Sequence, residues 1–114
     1  MQLIKAVRGA EDIHSCAADM LLFDRALMSG KLINEDSLAE MLNTDTGYGC
    51  GWIRYGRYSG AWYHGGQTYF YTSYNLMCET EKYGRLYLIQ LHPTVAGDQY
   101  ANECMAQIVL NVMQ

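Results

Sequence analysis

The segment from residue 48 to residue 92 constrains the fold more than any other part of the chain. Its residues are mainly Tyr, Trp, Ile, Thr and Leu, which favour half-buried strands, and glycine-containing breaks divide it. This pattern predicts successive antiparallel strands joined by tight turns. We place the strands at 48–55, 61–65, 68–78 and 85–92. The pair Gly65-Gly66 would also allow the second and third strands to form one strand with a bend.

Helical patterns flank this segment on both sides. Ser15 is the predicted N-cap of a helix whose apolar stripe is interrupted only by Asp24, and Gly30 lies just past its end. A shorter helix is predicted to start at an Asn34 cap, and a last helix at an Asp98 cap. In the last helix, one face carries residues four apart: Tyr100, Cys104, Ile108 and Val112.

Together these patterns predict the fold class. We expect a single α+β domain over residues 1–114, an antiparallel β-meander of three to four strands with helices packed on its faces. The stretch RLYLIQLH at 85–92 is apolar on both alternations, as expected of an interior strand that is covered on both faces. The helix at 99–113 is therefore predicted on one face of the sheet and the helix at 16–28 on the other.

Charge and cysteine usage narrow the function. The formal net charge is −4 and the basic residues are spread along the chain, which argues against nucleic acid as a partner. No run approaches the ~18 apolar residues of a membrane span, and residues 1–14 lack the pattern of a signal peptide. The cysteines are widely spaced, without a C-x-x-C pair, and only His14-x-Cys16 has metal-like spacing. Free thiols, no metal and no cofactor are expected.

Three stretches stand out by their order and spacing. The first is HSCAADMLLFDRALMSGKLINEDSLAEML, where small residues lead to Asp-Met, an apolar helix, a Gly-Lys-Leu turn and a closing Met-Leu. The second is YGCGW at 48–52, and the third is HGGQTYFYTSYN, which begins at His64. Together they resemble the C-terminal part of serine β-lactamases and penicillin-binding-protein-like hydrolases, especially the class C and esterase-like branch. The resemblance covers nearly the whole chain and implies a partial β-lactamase/transpeptidase-like fold.

The nucleophile of that family is missing here. By the resemblance, a complete domain would acylate a serine in a Ser-x-x-Lys helix. The serines of this chain are followed three places on by Ala18, Leu32, Glu40, Trp62 and Leu76, never by lysine. The match Tyr100-Ala101-Asn102 to the family's Tyr-x-Asn loop comes after the His-Gly-Gly strand rather than before it, so we interpret it as coincidence. No catalytic residue is assigned.

The resemblance does assign one wall of a substrate cleft. It consists of His64, Gly65, Gly66 and Gln67, and the Gln67 backbone N–H matches the family's second oxyanion donor. The Pro-Gly that commonly follows is replaced by Tyr69-Phe70, whose bulk would narrow or close the cleft. A Ser-His-Asp triad from Ser73, His64 and Asp45 has no G-x-S-x-G signature in its support.

Two functions follow as hypotheses. The chain is a fragment or split subunit of such a hydrolase, inactive by itself, or it is a non-catalytic interaction module that reuses the fold for self-association. In the family the strand matching 85–92 is flanked on one side by the first strand of the domain, which has no counterpart here. Its open edge would pair with another chain. A homodimer through 85–92, or a complementing N-terminal half, is therefore the expected partner; the family is usually exported, and no compartment is assigned.

Overall fold

The computed structural model describes residues 13–56, 60–94 and 98–112. The elements in chain order are α1 (Ala17–Met28), α2 (Glu35–Met41), β1 (Ile53–Arg54), β2 (Ala61–Gln67), β3 (Tyr71–Thr80), β4 (Gly84–Pro93) and α3 (Asp98–Val112). The strands form one antiparallel sheet in the order β1-β2-β3-β4. The predicted α+β class and antiparallel meander are confirmed. No helix in the described ranges is long and apolar enough to cross a membrane.

Alternate residues of β3 face two separate clusters of buried side chains. Met77 lies with Leu27 of α1 in one cluster, which also contains Trp52. On the opposite face Leu76 packs in a cluster with Ala106 of α3. The helices α1 and α3 therefore cover opposite faces of the sheet, as predicted from the apolar residues on both alternations of 85–92.

Of the N-caps predicted for α1 and α2, one is confirmed and one is wrong. Asn34 caps α2 as predicted, because its Oδ1 accepts a hydrogen bond from the Ser37 N–H at 2.8 Å. The prediction for Ser15 is wrong, since α1 is preceded by Cys16 as N-cap, without a side-chain capping bond. The Ser15 hydroxyl instead donates to the Cys16 carbonyl at 3.4 Å.

The predicted strand at 48–55 is wrong over most of its length. Only Ile53–Arg54 is a strand, and residues 48–52 form a tight loop in which the Gly49 N–H donates to the Trp52 carbonyl at 2.7 Å. Gly51 has φ +83°, a left-handed conformation that glycine adopts without strain. A Cβ at Gly49 would overlap with the Met41 carbonyl oxygen at the end of α2. The glycines of YGCGW therefore fold the backbone against α2 instead of extending it.

The pair Gly65-Gly66 does not bend the chain. Both glycines lie within β2 and pair with Tyr74 and Ser73 of β3, and the hairpin turn comes after Gln67. A Cβ at Gly66 would lie 3.2 Å from the Ser73 Oγ, and one at Gly65 would lie 3.3 Å from the Ser73 carbonyl oxygen. The glycines are thus explained by close packing against β3, and the alternative of one bent strand is wrong.

The residues four apart on the last helix do not share one environment. Among the side chains of α3 that the structure describes, Asn102, Ala106 and Leu110 are buried, whereas Ile108 is 56% exposed. The side chains of Tyr100 and Val112 lie outside the described part. In the described sheet β4 pairs only with β3. The strand 85–92 is therefore not the interior strand that its residues indicated but has an open edge, as the absence of a counterpart to the family's first strand predicted.

Candidate functional site

A cavity of about 330 Å³ lies between α1 and the sheet. Its floor is the sheet face that carries His64, Ser73 and Asn75, and its walls include Phe23 of α1. His64 and Asn75 are directly opposite each other on β2 and β3. The cavity therefore adjoins the stretch that the sequence assigned as a cleft wall.

His64 is held by the loop that precedes β1. Its Nε2 lies 2.9 Å from the hydroxyl of Tyr48, and the two rings meet edge to face with centroids 6.1 Å apart. Tyr48 is the first residue of YGCGW, and the tight loop formed by its glycines brings the ring over β2. The sequence did not indicate Tyr48 as a partner, because the strand predicted for 48–55 would have carried its side chain elsewhere.

The backbone N–H and C=O groups of successive β2 residues point alternately towards β1 and towards β3. The Tyr55 N–H donates to the Ala61 carbonyl on the β1 side at 3.0 Å, whereas the Glu79 N–H donates to the Gly60 carbonyl on the β3 side at 2.8 Å. In an antiparallel sheet this alternation continues along the strand. The N–H and C=O of Gln67 therefore point towards the β1 side, away from β3.

That side of β2 is open beyond its first residues. β1 pairs with Trp62 and Tyr63 only. Within the described part of the chain, no strand pairs with Gly65 or Gln67 on the β1 side. The open edge thus presents the backbone N–H and C=O groups of Gly65 and Gln67, which a bound acyl group or extended peptide could engage.

The chemistry of the cavity itself is limited. No Asp, Glu, Lys or Arg of the described residues lines it; the titratable residues along it are His64, Cys50 and Tyr74. The Ser73 hydroxyl makes only a long hydrogen bond of 3.5 Å to the Gly66 carbonyl, while the His64 Nε2 faces Tyr48. Asp45 lies in an exposed loop and does not line the cavity. The structure thus brings Ser73 and His64 to one cavity, but it does not assemble a Ser-His-Asp triad.

The aromatic pair after the glycines lies away from the cavity. Tyr69 and Phe70 lie in the turn between β2 and β3 and are 83% and 65% exposed. Neither lines the cavity. The hairpin continues to Gln67 before it turns and carries both rings past this cavity, so their effect on a substrate cleft stays a prediction.

The other candidate residues lie elsewhere. Asn102 of the Tyr-x-Asn match is a buried residue of α3, on the opposite face of the sheet, with its Oδ1 3.4 Å from the His92 Nε2. The cysteines are all unpaired, and no cluster of three or more His, Cys, Asp or Glu that could hold a metal occurs in the described ranges. Neither feature adds a ligand or catalytic group to the cavity.

The sequence did not predict one buried polar group near the cavity, the carboxyl of Asp24. Asp24 of α1 is fully buried, and its Oδ1 accepts a hydrogen bond of 3.0 Å from the Asn75 amide. Asp24 interrupts an otherwise apolar helix stripe, and this was the signal that could have predicted a buried polar contact. Its partner could not be predicted, since it depends on which residue of β3 lies beneath α1.

Comparisons with known proteins give no relative: no family model, no curated protein and no solved structure matches the chain. The relationship to serine β-lactamase-like hydrolases therefore rests on the three sequence stretches and stays a prediction.

Proposed function

We propose that this chain is the C-terminal fragment or split subunit of a serine β-lactamase or penicillin-binding-protein-like hydrolase, inactive until a second polypeptide supplies the Ser-x-x-Lys nucleophile. The observation that carries the proposal is the open edge of β2 at Gly65 and Gln67, next to the cavity floored by His64. An enzyme that acylates a serine needs a backbone N–H aimed at the developing oxyanion. The Gln67 N–H is available for this role, because it points to the open edge and β3 does not use it.

The remaining chemistry is consistent with a dependent subunit. Activation of a serine requires a neighbouring base, and the Ser73 hydroxyl has none within hydrogen-bond reach among the described residues. The His64 Nε2 is engaged with the Tyr48 hydroxyl at the rim of the cavity. This chain would thus contribute one oxyanion donor and one wall, while the partner contributes the nucleophile and its base.

A second candidate function has an observation of its own. β4 is the last strand of the described sheet, and β3 forms hydrogen bonds with only one of its two edges. The Thr94 N–H donates to the Phe70 carbonyl, so even-numbered residues of β4 bond to β3 and odd-numbered residues point outwards. Pro93 occupies an outward position, where its missing N–H costs no ladder bond. This edge favours a non-catalytic module that self-associates through 85–92, as a homodimer or with a complementing segment.

The first experiment compares the chain alone with a complemented sample. The isolated chain should not hydrolyse a chromogenic cephalosporin or a short-chain ester, nor be labelled by a fluorescent penicillin. Adding the Ser-x-x-Lys chain encoded beside its gene should restore labelling, on the serine of the added chain. Stoichiometric labelling of a serine in this chain would contradict the proposal, as would failure of every neighbouring Ser-x-x-Lys chain to bind.

A matched pair of variants then tests the Gln67 donor. Gln67→Pro removes the N–H that points to the open edge and leaves the β2–β3 ladder intact, whereas Gln67→Ala keeps the N–H and removes the side chain. In the complemented sample Gln67→Pro should lower the acylation rate about 100-fold, the usual cost of an oxyanion donor. Gln67→Ala should react at the wild-type rate. Equal rates for both variants would exclude the role of this N–H.

A further inference from the structure

The cavity between α1 and the sheet is lined mainly by apolar side chains. Its volume of about 330 Å³ lies at the small end of ligand-binding cavities in proteins. At about 30 Å³ for a water-sized group, it has room for about ten non-hydrogen atoms. This size suits a small molecule better than a segment of another chain. The apolar residues along it include Met20, Phe23, Met41, Trp52, Ile89 and Leu91.

Strand register turns the sheet residues of this lining towards α1. Ile89 is paired with Asn75, and Leu91 with Ser73. Residues directly opposite each other in an antiparallel pair have their side chains on the same face of the sheet, as do alternate residues of one strand. The Asn75 amide reaches Asp24 of α1, so this is the face that α1 covers. The side chains of Ile89, Leu91 and Ser73 therefore point into the space between the strands and the helix.

Two large apolar side chains on these inner surfaces stay exposed beside the cavity. Leu27 and Phe23 are about one helical turn apart on α1, yet Leu27 is 3% exposed and Phe23 is 49% exposed. Leu27 packs in the cluster with Met77, whereas Phe23 borders the cavity. Leu91 also borders the cavity and is 38% exposed. A molecule in the cavity would remove apolar surface of Phe23 and Leu91 from water, which favours binding.

The apolar groups along the cavity are well matched to an aromatic ring. Phe23 and Trp52 contribute ring surfaces, against which another ring can stack or meet edge to face. Met20 and Met41 contribute thioethers, which make favourable contacts with aromatic rings. The lining thus favours an aromatic ring over an aliphatic group of the same size.

The polar groups of the cavity favour an uncharged ligand. Ser73 is exposed, and its hydroxyl makes a long hydrogen bond of 3.5 Å to the Gly66 carbonyl, so it can donate to a better acceptor. The His64 Nε2, by contrast, is 2.9 Å from the Tyr48 hydroxyl. Because the described lining contains no Asp, Glu, Lys or Arg, an ion would lose its hydration here without gaining a counter-charge.

We propose that this cavity binds a small uncharged aromatic molecule that carries one hydrogen-bond acceptor. The ring packs against Phe23 and Leu91, and the acceptor, an amide or other carbonyl oxygen, receives the hydrogen of the Ser73 hydroxyl. The site uses none of the backbone groups of Gly65 and Gln67 that carry the proposed hydrolase function. It therefore stands whether or not a second chain restores acylation.

Probes of nearly the same shape test the class of ligand. Phenylacetamide is uncharged, phenylacetate carries a negative charge and 2-phenylethylammonium a positive charge, while cyclohexylacetamide lacks the aromatic ring. In ¹H–¹⁵N NMR titrations of the chain, phenylacetamide should give saturable shifts centred on α1, residues 48–52 and β3. Each ion should bind about tenfold more weakly, and cyclohexylacetamide about threefold more weakly. No saturable shifts at about 20 mM phenylacetamide would overturn the proposal, as would equal affinity for any of the other three probes.

Two native cysteines locate the ligand without any substitution. Cys50 lines the cavity, whereas Cys16 precedes α1 and does not line it; both residues are exposed. Phenylacetamide at about 10 mM should slow alkylation of Cys50 by N-ethylmaleimide about fivefold and leave that of Cys16 unchanged, as measured by mass spectrometry of the peptides. An unchanged rate at Cys50, or equal slowing at both cysteines, would refute the site.

Variants then test the two contacts. Phe23→Ala truncates a half-exposed side chain, so it should fold, and it should bind phenylacetamide about tenfold more weakly. Leu22→Ala, exposed on the same helix and outside the cavity, is the matched control and should bind as wild type. Ser73→Ala removes only the hydroxyl and should weaken binding about fivefold. Wild-type affinity in both Phe23→Ala and Ser73→Ala would place any binding elsewhere and refute the proposal.

Discussion

The amide of Asn75 on β3 donates to the carboxyl of Asp24 on α1 at 3.0 Å, and this bond joins the helix to the sheet at a fully buried position. One oxygen of each side chain, the Asp24 Oδ2 and the Asn75 Oδ1, is buried without a partner. Burial raises the pKa of Asp24, and the Asn75 hydrogen bond opposes that rise only in part. A polar contact thus lies where α1 would otherwise present only apolar side chains.

The Asp24 carboxyl should make stability depend on pH. Its folded pKa is raised above the unfolded value of about 3.9, so the folded state binds more protons and stability falls as pH rises from about 4 through the raised pKa. Asp24→Asn removes the charge and should stabilise the protein at pH 7 by about 1 kcal/mol, while losing this pH dependence. Urea denaturation at several pH values measures both effects. Asp19→Asn, exposed on the same helix, is the control, and a less stable Asp24→Asn at pH 7 would contradict the argument.

Gly49 should be among the least replaceable residues of the chain. A Cβ there would overlap with the Met41 carbonyl oxygen, which is backbone and cannot move without displacing the end of α2. Gly49→Ala should cost about 2 kcal/mol or more in the free energy of unfolding. Gly66→Ala is the matched control, because its Cβ would meet only the Ser73 hydroxyl, at 3.2 Å, and it should cost less. Equal losses for the two variants in urea denaturation would show that the loop can shift.

Trp62 should stabilise the contact between the sheet and α2. Its indole Nε1 donates to the Leu42 carbonyl, the C-cap of α2, at 3.0 Å. Trp62→Phe removes this donor and should destabilise the protein by about 1–3 kcal/mol, because the carbonyl is left without a partner. Hydrogen exchange should show faster exchange in α2 with little change in α3. Equal loss of protection in both helices would indicate a general packing defect instead.

Association through β4 can be tested on its open edge. Leu91 is 38% exposed, and its backbone groups point away from β3. A lysine on an edge strand discourages pairing with another chain, so Leu91→Lys should shift a dimer towards monomer in analytical ultracentrifugation. Tyr83→Lys, in the turn before β4, is the control and should leave the dimer unchanged. A wild-type chain that sediments as a monomer at high micromolar concentration would exclude the self-association function.

The sequence by itself determined those helices and strands that depend on residues close together in the chain. The Asn34 cap fixes the start of α2, and the apolar stripe of residues 17–28 fixes α1, because both act within one or two helical turns. The same holds for β4, because the apolar residues on both alternations of 85–92 correctly predicted helices on both faces of the sheet. Residues 64–67 lie in the continuous strand β2, and their assignment as a cleft wall stays a prediction.

Only the tertiary structure decided how distant residues meet. The loop at 48–52 folds because Gly49 approaches the end of α2, and this loop brings Tyr48 to His64. Strand register places Asn75 under Asp24 and stacks Tyr63 on Tyr74. Register and helix docking depend on the packing of side chains far apart in the chain, so a periodic pattern specifies which face is apolar but not which residue lies opposite.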